Sequence, residues 1–456
     1  MFSKVLVANR GEIALRIIRA LREMGIASVA VYSEADESSL HVRRADEKVG
    51  IGPPLSARSY LNREAIFRAA ESTGVEAIHP GYGYLAENPQ FAAECEDRGL
   101  TFIGPSSRTM RLAGDKISAK KIMADAGVPV IPSSPAGVCD LEEARAISAQ
   151  IGYPVMVKAS GGGGGRGIRI CRDESELVEE FMVARSEARA AFGNDEVYIE
   201  KFLAAPRHIE FQILADAYGR ITHLGERECS VQRRYQKLIE EAPSPYVTPG
   251  LREAMGRAAV DAAKAVAYRN AGTVEFLVDR AGVFYFIEIN ARIQVEHPVT
   301  EIVAGVDLVK EQIRLAAGGR LDYGFEDLKS RGWAIECRIN AEDPERGFLP
   351  APGRIDVFQP PGGYGVRLDT HLYQGYELPI YYDSLAAKLI AYGADRPEAI
   401  AVMRRALDEF RLEPIRTTIP LHREIMNDPD FQSGVIDTDY IKKFVPDQDD
   451  EDDEEE

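Results

Sequence analysis

Residues 158–167 read KASGGGGGRG, five glycines in a row between a lysine and an arginine. Inside a regular element each glycine costs about 1 kcal/mol relative to alanine, so a run this dense belongs to a connection. To its left YPVMVKA has the pattern of an apolar strand, and to its right GIRICR alternates as a second one. The run matches G-x-G-x-x-G at Gly162, Gly164 and Gly167, but no helix follows it. That separates it from dinucleotide and Walker loops, where a helix N-terminus faces the phosphates. A side-chain-free flap between two strands can bring backbone N–H groups against phosphate oxygens, and can open and close over them. An inert hairpin tip accounts for the spacing equally well. Lys158 sets a positive charge beside the loop.

Outward from the flap the chain divides. Before it, KVLVA, SVAVY, VEAIHP and LTFIGP are short strands separated by helical patterns such as GEIALRIIRALREMG. Such alternation predicts a parallel, doubly wound sheet. Its first strand-to-helix turn, ANRGEIA, has no G-x-G-x-x-G, so a dinucleotide site is weakly supported. A helical linker, GDKISAKKIMADAG, leads to the unit that contains the flap. Beyond about residue 203, HIEFQILAD, TVEFLVD, VFYFIEI and WAIECRIN read as antiparallel strands with helices between. The fold class is therefore α/β followed by α+β, with expected domains at 1–114, 115–130 (linker), 131–203 (lid), 204–446 and 447–456.

Bulk properties limit the function classes. Of 456 residues, 45% are hydrophobic and 28% charged, ordinary for a globular protein. The net charge is −18, and the final ten residues, DQDDEDDEEE, hold nine acids; the remainder still carries −9. No basic face for nucleic acid is advertised, and the tail reads as a solvated, disordered extension. No apolar run is long enough for a membrane span, and the start has no secretory pattern. Five scattered cysteines without a C-x-x-C pair suit a reducing, cytoplasmic setting.

Residues 288–296, EINARIQVE, place Glu288, Asn290, Arg292, Gln294 and Glu296 at every second position. If the stretch is extended, all five polar groups share one face. The turn DRAG folds TVEFLVD back towards it, bringing Glu275 near Glu288. Two carboxylates with an amide nearby suit a magnesium ion shared with phosphates, although any half-buried strand also alternates. HPGYGYLAEN is either plain turn chemistry or the wall of a pocket at a strand end. ERECSVQRRYQKLIEE reads most simply as a salt-bridged surface.

In this order, KASGGGGGRG, HPGYGYLAEN, QRRYQK, EINARIQVEHPVTE and ECRINAEDP resemble the biotin carboxylases of the ATP-grasp superfamily, over nearly the whole chain up to the acidic tail. The resemblance implies an ATP-grasp fold and ATP- and bicarbonate-dependent carboxylation of biotin through carboxyphosphate. It makes the glycine loop, with Gly161, Gly162, Gly163, Gly164 and Gly165, a lid over ATP. It assigns Lys116, Lys158, Glu200, Lys201, Leu203, His208, Gln232, Tyr235 and Leu277 to the nucleotide, and Glu275, Glu288 and Asn290 to Mg²⁺ (or Mn²⁺). Arg292, Gln294, Val295, Glu296, Arg338 and Tyr82 correspond to the substrate pocket. Glu296 is then the general base, and Arg292, Lys237 and Arg338 are the catalytic cations.

Two positions depart from the family pattern. Tyr235 stands where many members have His, and Ala291 where Thr or Pro is common. No Met-Lys dipeptide occurs, so biotin is expected on a separate carrier protein. A carboxyltransferase and a homodimeric assembly are the other expected partners. Other ATP-grasp carboxylating ligases, and a non-catalytic nucleotide-binding protein, are the competing readings; the first would lack QVEHPVTE with RRYQK, and the second has no need of the charged set.

Overall fold

The computed structural model describes residues 1–159, 168–192, 196–328 and 331–445. Its described residues form two compact units. One comprises Met1–Val128, Arg207–Leu277 and Glu288–Glu456, and the other Pro129–Pro206 with Val278–Ile287.

In the larger unit the expected parallel sheet is present. Its five strands run Glu47–Gly52, Ala27–Ser33, Lys4–Val7, Ala77–His79 and Thr101–Phe102 in spatial order, every neighbouring pair parallel. The helix Gly11–Glu23 returns from the first strand and buries Ile13, Ile17, Ile18 and Leu21, the i, i+4, i+8 stripe of an amphipathic helix. Gly25, at φ +70°, lets the chain leave it.

A second sheet orders eight strands as Phe284–Asn290, Asn270–Val278, Arg207–Ala215, Ile221–Arg233, Gln236–Ala242, Trp333–Asn340, Leu385–Gly393 and Val366–Thr370. Here the structure differs from the sequence reading of ERECSVQRRYQKLIEE. The stretch is a hairpin in the middle of this sheet, with Glu226, Arg227, Glu228, Glu240 and Glu241 all buried. Buried charges persist only when paired, and the partners come from other elements: Arg207, Glu210 and Arg338 on strands, Arg252 and Arg396 on helices. Its turn is Arg234 and Tyr235, both at positive φ (47° and 65°).

Close packing also fixes the start of Trp333–Asn340. Gly332 lies at φ +68°, and a Cβ there would sit 2.3 Å from the carbonyl oxygen of Gly393 and 2.6 Å from the Tyr392 ring. Gly332→Ala is expected to destabilise the protein by about 1–3 kcal/mol, read as a lower denaturation midpoint.

The smaller unit has a three-stranded antiparallel sheet, Ile168–Cys171, Val155–Ala159 and Val197–Lys201. The helices Leu141–Ile151 and Glu174–Phe192 accompany it. Val155, Val157, Leu177, Phe181, Val197 and Ile199 form its core. The two strands that flank the glycine run do pair with each other, as expected. The glycines Gly161, Gly162, Gly163, Gly164 and Gly165 lie outside the described residues.

Candidate active site

The strand Arg207–Ala215 buries both faces, and every second residue on one of them is polar: His208, Glu210 and Gln212. Arg227 lies directly opposite Glu210 in the antiparallel register, and Lys237 opposite Gln232. These pairings gather charge in the sheet. Lys237 Nζ donates to Glu210 at 2.5 Å, Glu296 at 2.7 Å and Glu275 at 3.1 Å. Glu275 also meets His208 Nε2 at 2.7 Å. Behind them the fully buried Arg227 donates to Glu210, Gln212, Thr300 and Thr273.

Burial alone disfavours charge on Glu296, but Lys237, helped by Arg338 and Arg227, outweighs it and holds the carboxyl below its usual range. Glu275 is likewise buried, and Lys237 and His208 hold it well below that range. Burial would lower Lys237, yet Glu210, Glu275 and Glu296 together push it well above an ordinary lysine. The centre is thus an ionised network around neutral pH.

Residues 288–296 are not one strand. The strand Phe284–Asn290 ends at Asn290, the chain bends, and Glu296 immediately precedes the helix His297–Ala304, whose first turn carries Pro298. The polar groups converge nonetheless, because they are bonded to one another. Arg292 donates to Asn290 Oδ1 at 3.0 Å and to Gln294 Oε1 at 2.8 Å. Asn290 and Gln294 in turn each donate to Glu275 Oε1 at 2.8 Å. Glu87, from the HPGYGYLAEN loop, accepts from Arg292 Nε at 2.9 Å and from the Ala291 N–H at 2.8 Å. The aliphatic Ile289, Ala291 and Ile293 are buried, as the alternation implied.

On the far side Arg338, from Trp333–Asn340, donates through Nε to Glu240 at 2.6 Å and through a terminal nitrogen to Glu296 Oε2 at 2.9 Å. Both oxygens of Glu296 are therefore held by cations. Lys388, fully buried, donates to the Val295 carbonyl at 2.9 Å and pairs with Glu12 at 3.1 Å. Tyr82 donates its hydroxyl to the same Glu12. The HPGYGYLAEN loop is thus more than a turn, since it delivers Tyr82 and Glu87 to this network.

Of the residues singled out in the sequence, the larger unit brings His208, Lys237, Glu275, Asn290, Arg292, Gln294, Glu296 and Arg338 into one bonded set. Glu288 joins it through Asn290 at 3.4 Å. Gln232 is buried beside Lys237, Leu277 is half-buried, and Tyr235 is 76% exposed at the hairpin tip. Lys116 begins the helix Lys116–Asp125 in this unit. Lys158, Glu200, Lys201 and Leu203 belong to the smaller unit. There Lys158 pairs with Glu200 at 2.5 Å, and Lys201 donates to the Gly152 carbonyl at 2.8 Å. Sequence reasoning missed Glu210, Arg227, Glu240, Glu87, Glu12 and Lys388. Glu210 shares the alternation of His208, and Lys388 is a lone lysine in the apolar LAAKLIAYG, so both left a signal.

Among the described residues two clusters have metal-ligand chemistry, His208–Glu210–Glu275 and Glu210–Cys229–Glu296. Lys237 and Arg227 already neutralise their carboxylates. Glu275 and Glu288, linked through Asn290, also offer oxygen donors of the kind a hard dication takes, with Glu275 here paired to Lys237 and His208.

Family models match the chain over nearly its full length: "Biotin carboxylase, N-terminal domain" at residues 1–110, "Carbamoyl-phosphate synthase L chain, ATP binding domain" at 115–323 and "Biotin carboxylase C-terminal domain" at 336–443. The chain is 57% identical to a biotin carboxylase of Nostoc sp., over 97% of this chain and 99% of that one. It is 54% identical to biotin carboxylase 1 of Bacillus subtilis, again over 97% and 99%. Among solved structures it resembles the biotin carboxylase domain dimer of Hydrogenobacter thermophilus 2-oxoglutarate carboxylase, crystallised with MgADP, ADP and bicarbonate. That match has a TM-score of 0.88 and 52% identity, over 97% of this chain and 98% of that one.

Proposed function

The chain belongs to the biotin carboxylase family, and from that premise we propose which of its side chains perform each step. The fold is ATP-grasp, and the activity is ATP- and bicarbonate-dependent carboxylation of biotin. The observation that best supports the residue roles is that Lys237 and Arg338 meet on Glu296, with Arg292 tied to Lys237 through Gln294 and Glu275.

Arg292 binds bicarbonate, with Gln294 and Val295 bordering the pocket. Glu296, ionised at neutral pH, takes the bicarbonate proton. One of its two cations must release it first, which couples base activation to substrate arrival. The freed oxygen attacks the γ-phosphorus of ATP in line, ADP departs, and carboxyphosphate forms. Lys237 offsets charge that spreads over the phosphoryl oxygens. Carboxyphosphate then releases CO₂ beside biotin, the phosphate left behind accepts the ureido N1′ proton, and N1′ bonds to the CO₂ carbon as one C=O π pair moves to oxygen. Arg338 stabilises the negative charge on the ureido oxygen, and Tyr82 borders the ring.

Glu275, Glu288 and Asn290 would hold the Mg²⁺ (or Mn²⁺), which would neutralise phosphate charge. Glu288→Gln is expected to raise the magnesium concentration needed for half-maximal activity by about tenfold or more, measured by metal titration at saturating ATP.

Lys116, Lys158, Glu200, Lys201, Leu203, His208, Gln232, Tyr235 and Leu277, with the glycine loop as a closing lid, contact the nucleotide. The domain limits proposed are those of the sequence, with the lid at 131–203. The partners proposed are a biotin carrier protein, a carboxyltransferase and a second copy of this chain; the dimeric Hydrogenobacter domain supports the last. No helix among the described residues is long and apolar enough to cross a membrane, and a cytoplasmic site of action is proposed.

The deciding assay is bicarbonate-dependent ATP cleavage by the purified protein. It is expected to rise when free biotin is added, and an unchanged rate would refute the assignment. The protein that co-purifies with the chain identifies the final carboxyl acceptor.

A further inference from the structure

Glu240 is the most constrained carboxyl that these steps leave unused. It lies on Gln236–Ala242 directly across from Glu336 on Trp333–Asn340, and both are fully buried. Directly opposed residues of an antiparallel pair have Cβ atoms about 4.5–5.5 Å apart. Glu240 Oε1 accepts from Arg338 Nε at 2.6 Å, and a terminal nitrogen of Arg338 lies 2.5 Å from the same oxygen. Among the described residues its Oε2, and both oxygens of Glu336, have no hydrogen-bond partner.

Three buried carboxyl oxygens without donors are incompatible with two full charges on the pair. Burial drives Glu336 well above an ordinary carboxyl, with Lys388 opposing and Glu240 reinforcing the rise. Burial likewise raises Glu240, against Arg338 and with Glu296, to about 7. The titratable groups around Glu240 are Arg338, Glu336 and Cys337 from one neighbouring strand, Cys229 from the other, Lys237 from its own, and Glu296 from the turn before His297–Ala304. Lys388, on Leu385–Gly393, lies opposite Arg338. Arg338 is therefore shared by two acids, Glu240 and Glu296, that compete for one guanidinium.

We propose that Glu240 is a positioning residue whose ionised carboxylate draws Arg338 off Glu296, leaving the base free for bicarbonate and the guanidinium free for the ureido oxygen. This rests on the roles given above to Glu296 and Arg338. With Glu240 neutral, the guanidinium charge settles on Glu296, which weakens the base and withdraws Arg338 from biotin. Biotin-dependent turnover accordingly rises with pH as Glu240 loses its proton.

The test is the pH profile of biotin-dependent ATP cleavage by the full-length protein and its variants. The unsubstituted protein is expected to show a rising limb centred near 7. Glu240→Gln is expected to lose that limb and to run roughly 10- to 100-fold slower above it, with the KM for ATP unchanged. Glu240→Asp, which keeps the charge, is expected to keep the limb at reduced rate. A Glu240→Gln enzyme with the unsubstituted rate and limb overturns the inference. Should that variant not fold, infrared spectroscopy of the unsubstituted protein decides. A protonated-carboxyl band that loses intensity in step with the rise in turnover supports it, and a band constant across the limb overturns it. Arg338→Gln separates the two layers: full biotin-dependent turnover in that variant would refute the role of Arg338 itself.

Discussion

Glu296→Gln is expected to slow biotin-dependent turnover by roughly 100- to 10,000-fold, the range for losing a general base, with ATP affinity nearly unchanged. The amide keeps the shape of the side chain and one acceptor oxygen, while its NH₂ meets one of the two cations, so Lys237 or Arg338 turns aside. What it lacks is a site for the bicarbonate proton. It also leaves Lys237 with two carboxylates instead of three and Arg338 with Glu240 as its remaining acid. Steady-state kinetics gives the rate, and nucleotide titration gives the affinity. An unchanged rate would mean that another group takes the proton.

The second large effect is on stability. Arg227→Met is expected to cost about 3–5 kcal/mol, the range for removing one member of a buried ion pair. The guanidinium is fully buried and binds four side chains from three separate segments: Glu210 and Gln212, Thr273, and Thr300. Methionine fills much of the volume but supplies no donor, so Glu210 keeps Lys237 as its one cation. Denaturant unfolding at neutral pH measures the loss. A cost below about 1 kcal/mol would show a network no stronger than an exposed pair.

The parallel sheet was legible because its strands are short apolar runs set between amphipathic helices, a pattern that local sequence carries by itself. The strands on either side of the glycines were legible for the same reason. The hairpin Ile221–Arg233 and Gln236–Ala242 was not. Its charged residues satisfy the rule for a solvated face, and only the strands on either side, carrying Glu210 and Arg338, make them a buried network. The bend after Asn290 was also invisible. Period two is the same whether a polar series continues as a strand or is gathered by mutual hydrogen bonds into a turn, and Pro298 was the one local hint. Glu87 and Glu240 could not be found from spacing, since each matters through a partner about 205 or 98 residues away. Lys237 entered by family likeness and not by geometry; the structure supplies its physical reason in three carboxylates around one ammonium.

The connection formed by Arg234 and Tyr235 has a further consequence. Because it is two residues long, Gln232 faces Lys237 and Arg233 faces Gln236. One added residue would shift the return strand by a single step, and side chains that now point to one surface of a ribbon would point to the other. Lys237 and Glu240 would then exchange environments with Leu238 and Ile239, an ammonium and a carboxylate for two greasy groups. Both residues of the connection lie in the left-handed region, and their number sets the register, so the shortest link in this ribbon limits how the chain can drift in length.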